Sequence, residues 1–309
     1  MGLMGGARLT LSTGSFYNMG LDRAFAIAAE AGYDGVELLV DGRQDSYDVP
    51  YLRGLSARTG MAILSVHTPF LRRINGWPDA QEERIVRAVA LAEDLGAEIV
   101  VAHTPGRWHS LHVEASFLRR DIYLDVPLGR GSEARYARWL EKELPLVQQG
   151  TAVRIAIENM PAGRLWGFQA GKYRYNRPAE LARWPYLVLD TTHWGTWGLQ
   201  PLLAYQELKG KIAHVHLSDY DGREHRLPFK GRLDLASLLT ALQRDGFGGT
   251  VAVELNPWAI AEGNWAREAL VAPLREAAQR CRELLGLPAS HSQVTQAAQP
   301  ADGFPISRA

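Results

Sequence analysis

Six short apolar segments of the chain each end in a side chain that can bind a metal ion or transfer a proton. These side chains are, in chain order, His67, His103, Glu158, Asp190, His216 and Glu254. A carboxylate at the end of an apolar strand is costly to bury unless it is paired or bound to a cation. If several such carboxylates converge, a divalent cation removes their mutual repulsion. The pattern predicts a metal centre with Glu158, Asp190, His216 and Glu254 as ligands.

The donor atoms of this predicted centre restrict the choice of metal. Carboxylate oxygen together with imidazole nitrogen suits Mn²⁺, Co²⁺, Zn²⁺ or Mg²⁺. The single cysteine, Cys281, falls in a helical pattern near the end of the chain. It adds no thiolate to favour zinc, and it cannot form an internal disulfide. Four histidines are further candidates as extra metal ligands or substrate contacts, namely His67, His103, His193 and His225.

Strands and helices alternate in the pattern that must position these groups. The eight candidate strands, short and mostly apolar, are Arg8–Ser12, Gly35–Val40, Ala62–His67, Glu98–His103, Arg154–Glu158, Leu187–Asp190, Ile212–His216 and Thr250–Glu254. Helical patterns separate them, among them Leu21–Ala31 and Gly131–Gln149. The alternation predicts an α/β protein with a single (β/α)8 TIM barrel over residues 8–286, whose catalytic face lies at the carboxyl ends of the strands. An open doubly wound sheet is disfavoured because no glycine-rich phosphate fingerprint follows the first strand.

The remaining features of the chain concern its surface and its surroundings. Formal net charge is zero and no apolar run approaches the ~20 residues that span a bilayer, so no membrane association is expected. No signal-peptide pattern is present at the start, which favours a cytoplasmic enzyme. Residues 287–309, rich in Ser, Gln, Ala and Pro, are predicted to form a flexible tail. Arginines on the catalytic-face loops either bind an anionic ligand or serve solubility; among them are Arg72, Arg107, Arg119 and Arg130.

Around the predicted ligands the sequence resembles the xylose isomerase-like barrel superfamily, in its sugar phosphate isomerase/epimerase branch. Gly32–Leu38, which reads GYDGVEL, is similar to the second-strand signature of that family. His216–Gly222 and the following Leu227–Gly231 are similar to its seventh-strand block. The four predicted ligands, in the order Glu, Asp, His, Glu and with spacings of 32, 26 and 38 residues, match the single-metal site of the ketose 3-epimerases.

The resemblance implies a divalent-metal-dependent isomerase or epimerase of a sugar or sugar derivative. Glu158 and Glu254 would flank a bound ketose, one removing a proton beside the carbonyl and the other returning it, through a metal-stabilised enediolate. His193 resembles a histidine that contacts a substrate oxygen, and Arg223 stands near an arginine that holds the substrate. Aromatic residues on the same loops are candidate substrate contacts, namely Trp166, Trp194 and Trp258. Barrels of this family often form homo-oligomers.

Other activities of the same superfamily stay open. A lyase of the inosose dehydratase type needs the same proton abstraction. Zinc-dependent abasic-site endonucleases bind three zinc ions; His67 and His103 resemble ligands of the first, with Glu158 bridging, and His193 and His225 resemble ligands of the third. Those nucleases place an Asp where this chain has Arg223, which argues against a full third site. A small sugar is thus favoured over nucleic acid as the partner. A non-catalytic sugar sensor is disfavoured because binding alone does not require an acid–base pair.

Overall fold

The strands and helices are those of a computed structural model, which describes residues 6–69, 73–107, 109–117, 120–129, 133–165 and 168–289. The strands in these residues are β1 (Arg8–Ser12), β2 (Gly35–Leu39), β3 (Ala62–His67), β4 (Ile99–His103), β5 (His109–Phe117), β6 (Arg120–Gly129), β7 (Arg154–Glu158), β8 (Gly163–Leu165), β9 (Phe168–Ala170), β10 (Leu187–Asp190), β11 (Ile212–Leu217) and β12 (Thr250–Val253). Eight of them form a closed parallel barrel in the order β1-β12-β11-β10-β7-β4-β3-β2. The predicted (β/α)8 barrel is confirmed.

The helices surround the barrel and follow its strands. They are α1 (Leu21–Ala31), α2 (Val49–Thr59), α3 (Gln81–Leu95), α4 (Ala134–Lys142), α5 (Leu144–Gln149), α6 (Pro178–Leu181), α7 (Thr191–Thr196), α8 (Pro201–Leu208), α9 (Leu235–Arg244), α10 (Pro257–Ala261) and α11 (Arg267–Leu285). Helix α1 buries Leu21, Phe25 and Ala28 along one face. It ends at Gly32, whose φ of 86° and backbone N–H bonds to the last carbonyls close the helix. No helix of the described residues is long and apolar enough to cross a membrane.

One helix prediction was wrong. The segment Gly131–Gln149 was expected to form a single helix, but it contains two, α4 and α5. Pro145 lies in the first turn of α5. A proline ring lacks the N–H that would continue the first helix and clashes with a carbonyl four residues earlier. The chain therefore ends α4 at Lys142 and starts again.

The long loops after β4 and β7 carry strands of their own, which the sequence did not predict. Strands β5 and β6 pair antiparallel, with Leu111 opposite Val126. Strands β8 and β9 form a second, shorter hairpin. An isolated bridge between Gly106 and Tyr173 joins the two loops above the barrel. From residue 290 onward the predicted tail lies outside the described residues.

Barrel closure fixes where the chemistry lies. The first strand pairs with the last in parallel register, with Arg8 opposite Thr250 and Leu11 opposite Val253. Strand residues are buried along almost their whole length, as expected for a parallel sheet covered by helices. Parallel closure brings the carboxyl ends of all eight strands to one rim, so the side chains that end them face a common space.

Candidate metal and active site

The predicted ligands converge at the carboxyl ends of the strands. Ligand atoms of Glu158, Asp190, His216 and Glu254 all lie within 4.8 Å of one another. His216 is central to the group. Its Nδ1 is 2.9 Å from Oε1 of Glu158, 3.2 Å from Oε2 of Glu254 and 3.7 Å from Oδ2 of Asp190. These four residues are called the ligand group below.

Local hydrogen bonds hold the ligand group in place. Asp190 ends β10 and caps α7, because its Oδ1 accepts a bond of 2.7 Å from the backbone N–H of His193. The side chain of Asn159 pairs with the backbone of Asp190, accepting at 2.8 Å and donating at 3.1 Å. Nδ1 of His193 lies 2.8 Å from the carbonyl oxygen of Asn159. Glu254 follows β12, and its N–H donates to Leu217 of β11. The ends of neighbouring strands are thereby tied together.

Glu158 also belongs to a second group, with His67 and His103. Its Oε2 lies 3.2 Å from Nε2 of His103 and 3.7 Å from Nε2 of His67. Nδ1 of His67 lies 2.7 Å from the carbonyl oxygen of Thr68. Since a carbonyl only accepts, Nδ1 of His67 carries the hydrogen of this bond. The structure therefore brings together two of the four histidines that the sequence identified as extra candidates.

A third group contains Asp190, His193 and His225. His225 lies in a loop with a left-handed backbone, φ 54°, and its Nδ1 is 3.9 Å from Oε2 of Glu254. Arg223, two residues earlier, pairs with Asp221 instead of the group, with Nη2 3.0 Å from Oδ2. The side chain of Arg223 is about half exposed. All four extra histidines thus lie beside the ligand group, whereas Arg223 forms an ion pair with Asp221.

The ligand group has the donor chemistry that a divalent cation requires. Oδ2 of Asp190 is buried without a hydrogen-bond partner among the described residues, and Oε2 of Glu158 is buried with imidazole nitrogens at 3.2 and 3.7 Å. Buried carboxylate oxygens are normally paired, so such atoms call for an explanation. Three carboxylates surround one imidazole nitrogen, and oxygen with nitrogen donors suits Mn²⁺, Co²⁺, Zn²⁺ or Mg²⁺. The residues present fit such a cation.

Electrostatics in the ligand group are dominated by burial and by mutual attraction. Burial alone would raise the pKa of Glu158, but the pKa lies well below its ordinary range because His216 and His103 outweigh it. Burial would likewise lower the pKa of His216, yet the carboxylates of Glu254, Glu37 and Glu158 hold it well above its usual value. Without a cation, protons on imidazole balance the carboxylates. A bound cation and these protons would therefore compete.

A cavity of about 580 Å³ opens onto this region, and His103 and His225 are part of its wall. Two of the predicted aromatic contacts, Trp194 and Trp258, do not line it. Trp194 is buried in the hydrophobic core. Trp258 is 60% exposed and packs edge-on against Trp265. Several predicted contacts lie outside the described residues, namely Trp166, Arg72, Arg119 and Arg130.

The sequence interpretation missed one charged residue. Glu37 was noted only as part of a family signature, yet it is fully buried in β2, next to His214 and His216. The clue was present in the sequence, since the strand reads GVELL and a charge inside an apolar strand needs a partner. The prediction considered only residues at strand ends, and Glu37 lies in mid-strand.

Comparison with known proteins agrees with the fold. Residues 25–283 match the family described as xylose isomerase-like TIM barrel. An uncharacterized protein of Mycobacterium tuberculosis is 30% identical over 290 residues, covering 86% of this chain and 94% of that protein. Among solved structures, an L-ribulose 3-epimerase superposes with a TM-score of 0.63 at 19% identity, covering 97% of this chain and 100% of the other.

A further solved structure, described as AP endonuclease, family 2, from Brucella melitensis, has a TM-score of 0.60 at 17% identity. The superposition covers 86% of this chain and 97% of that one. At these identities the structural likeness concerns the fold alone. The family match covers most of the chain, so this protein belongs to the xylose isomerase-like TIM barrel family. The resemblance found in the sequence is confirmed.

Proposed function

We propose that this protein is a divalent-metal-dependent isomerase or epimerase of a sugar or sugar derivative. The observation that carries the proposal is the ligand group, in which two glutamates approach the same imidazole nitrogen at 2.9 and 3.2 Å. Glu158 ends β7 and Glu254 follows β12, and β10 and β11 separate these strands in the barrel. Two carboxylates that reach one point from separate strands can act on different sides of a small substrate.

The two glutamates differ in a way that suits a pair of proton carriers. The side chain of Glu158 is 1% exposed and that of Glu254 is 17% exposed. Glu254 is therefore the more accessible to a substrate, and Glu158 lies deeper beside His216. In the proposal, one removes the proton beside the substrate carbonyl and the other returns a proton. A bound divalent cation would supply positive charge to the substrate oxygens as they become negative.

The cavity favours a small polar ligand over a polyanion. A volume of about 580 Å³ is in the range of small-molecule sites. Its described wall carries the carboxylates of Glu133 and Glu224 and the ammonium of Lys172. A phosphodiester backbone would need more positive than negative charge there. Hydroxyl groups of a sugar can bond to both signs of charge, which supports a carbohydrate substrate.

A zinc-dependent phosphodiesterase acting on abasic DNA is the second candidate. One observation favours it: Glu158 belongs both to the ligand group and to the group with His67 and His103, as a carboxylate bridging two cations would. Arg223 and the carboxylates of the cavity wall argue against it. A lyase of the inosose dehydratase type would use the same glutamates and differs only in its product.

Metal content and proton exchange test the proposal together. Purified wild type is analysed for Mn, Co, Zn and Mg, then incubated with a panel of ketoses in D₂O. About one metal equivalent and deuterium at the carbon beside a ketose carbonyl are expected. Glu254→Gln should lower the exchange by about 10²–10⁴-fold with metal still bound. Glu268→Gln, an exposed surface change in α11, is the matched control and should exchange at the wild-type rate.

The same material separates the alternatives. His67→Ala should keep the single metal equivalent of an isomerase. Two or three equivalents in wild type, with one lost in His67→Ala, would contradict the isomerase and favour phosphodiester hydrolysis, with abasic DNA as the first substrate tried. Turnover that survives both Glu158→Gln and Glu254→Gln would contradict the proton-transfer mechanism.

A further inference from the structure

A buried carboxylate lies inside the barrel behind the ligand group. Glu37 is in the middle of β2 and is fully buried. Its Oε2 accepts a hydrogen bond of 3.0 Å from Oγ of Ser65 and lies 2.9 Å from Nε2 of His214. Nδ1 of His214 in turn contacts Oγ1 of Thr250. Residues from β2, β3, β11 and β12 thereby hold this carboxylate in one place.

His216 stands between Glu37 and the ligand group. Its Nε2 lies 3.1 Å from Oε1 and 3.3 Å from Oε2 of Glu37. Its Nδ1 faces Glu158 and Glu254 on the other side of the ring. At these distances both oxygens of the Glu37 carboxylate can accept from Nε2, so the contact is favourable when this nitrogen carries the hydrogen.

We propose that Glu37 is a positioning residue that fixes His216 with its hydrogen on Nε2 and its Nδ1 lone pair directed at the cation site. A histidine that binds a metal is usually held by a carboxylate or carbonyl on its other nitrogen, which sets the ring orientation and strengthens the ligand. The geometry assigns that role to Glu37. Ser65 and His214 keep its carboxylate from rotating away from His216.

The assignment rests on the proposed metal centre, but it can be tested without catalysis. Zn²⁺ affinity is measured by competition with a chelator in wild type, Glu37→Gln and Glu37→Ala. Loss of the carboxylate should weaken Zn²⁺ binding about 10–100-fold in Glu37→Ala. Glu37→Gln keeps an oxygen that can accept from Nε2, although without charge, and should weaken binding by a smaller factor. This graded loss is not expected from a purely structural role.

Asp34→Asn is the matched control. Asp34 lies three residues before Glu37, just ahead of β2, where it bonds to the N–H of Leu9 and to Arg282. The substitution also removes a carboxylate that makes internal contacts, but it does not touch His216. Zn²⁺ affinity of Asp34→Asn should stay within about twofold of wild type, even if its unfolding midpoint falls.

A spectroscopic readout tests the tautomer directly. In ¹H–¹⁵N correlation spectra of ¹⁵N-histidine-labelled, Zn²⁺-loaded wild type, His216 should show a metal-bound Nδ1 and a protonated Nε2. His216→Gln identifies the signals. Binding through Nε2 would overturn the proposal. So would wild-type Zn²⁺ affinity in folded Glu37→Ala, and Glu37→Gln supplies the measurement if the alanine variant does not fold.

The two proposals fail in different ways. Wild type that binds Zn²⁺ and shows the graded loss, but exchanges no ketose proton, would contradict the isomerase and leave the role of Glu37 intact. Wild type that exchanges ketose protons, with Zn²⁺ affinity independent of residue 37, would contradict only the role of Glu37. A wild type with no measurable Zn²⁺ affinity would overturn the assignment of Glu37.

Discussion

The two ends of the barrel differ in how their charged side chains are partnered. At the amino ends of the strands, Asp34 accepts a bond of 2.8 Å from the N–H of Leu9 and pairs with Arg282. Arg282 also donates to the carbonyl of Gly32. At the carboxyl ends, Asp190 keeps a buried oxygen without a hydrogen-bond partner among the described residues, and a buried oxygen of Glu158 faces the imidazoles of His67 and His103. At the amino ends, Arg282 donates to the acceptors. At the carboxyl ends, the carboxylate acceptors of the ligand group surround a common point.

This difference separates stability from chemistry within one fold. Paired charges at the amino ends stabilise the closed barrel. Unpaired acceptors at the carboxyl ends are unfavourable unless a cation or a proton joins them. In barrels of this class, the strands' carboxyl ends carry activity and the other end carries stability. Substitutions at the two ends should therefore affect different measurements.

The largest effect is expected at the deepest ligand. Glu158→Gln removes the charge of a carboxylate that belongs to two groups while keeping its shape. Ketose proton exchange should fall by about 10²–10⁴-fold, because an amide cannot accept the proton. Deuterium exchange followed by NMR gives the rate. Asp34→Asn at the opposite end should keep its exchange rate, and a large loss there would break the comparison.

Added metal should stabilise the protein only through the ligand group at the carboxyl ends of the strands. A cation at 100 times its dissociation constant contributes about 2.7 kcal/mol to the free energy of unfolding. Urea unfolding with and without Mn²⁺, Co²⁺ or Zn²⁺ measures this gain. Asp190→Ala should abolish it, whereas Arg282→Met should keep the full gain from a lower starting stability. Stabilisation that survives Asp190→Ala would place the cation elsewhere.

Loss of Arg282 tests the amino end. The side chain of Arg282 is 7% exposed, and its removal leaves the buried carbonyl of Gly32 and the partly buried carboxylate of Asp34 without their donor. The free energy of unfolding should fall by about 1–3 kcal/mol. Urea midpoints measure the loss. Metal equivalents per chain should stay unchanged, and a loss of bound metal in folded Arg282→Met would show that the two ends are coupled.

The smallest effect is expected at the exposed ion pairs of the same end. Glu98 lies 2.8 Å from Arg8 and 3.0 Å from Arg154, but its side chain is 46% exposed. Glu98→Gln should cost about 0.2–1 kcal/mol, since solvent screens such pairs. Hydrogen bonding to Arg8 lowers the pKa of Glu98. The contribution should therefore be present above about pH 4.3 and be lost as the pH falls through the lower folded-state value. Urea unfolding at pH 7 and pH 3 measures it, and a pH-independent difference would contradict the expectation.

The sequence predicted the barrel and the ligand group for the same reason. Glu158, Asp190 and Glu254 each follow an apolar run, where a charged side chain is unfavourable unless it has a partner or binds a cation. Parallel strands of a closed barrel then bring such residues to one rim. Four of the eight predicted strands have the bounds that the structure shows, namely Arg8–Ser12, Ala62–His67, Arg154–Glu158 and Leu187–Asp190.

Features that depend on the partner of a residue could not be predicted in this way. Glu37 lies in mid-strand, and only the fold shows that His214 and His216 surround it. Trp194 is apolar, and a tryptophan in the core has the same sequence pattern as one in a binding site. Alternating apolar and polar residues over 111–117 and 122–126 did mark the β5–β6 hairpin, and the prediction overlooked them, whereas β8 and β9 have three residues each and are too short to show a period. Pro145 did mark the break between α4 and α5, and the prediction gave it too little weight.

Pairing of the first strand with the last determines when, during folding, the ligand group can be completed. Arg8 meets Thr250, a contact between residues far apart in the chain, and Glu254 directly follows the strand that makes it. Contacts of such long sequence separation form late and slow the folding of a domain. A ribosome must release nearly the whole chain before β12 can enter the barrel. Closure and completion of the ligand group are therefore one kinetic event, and a chain that stops short of β12 lacks both.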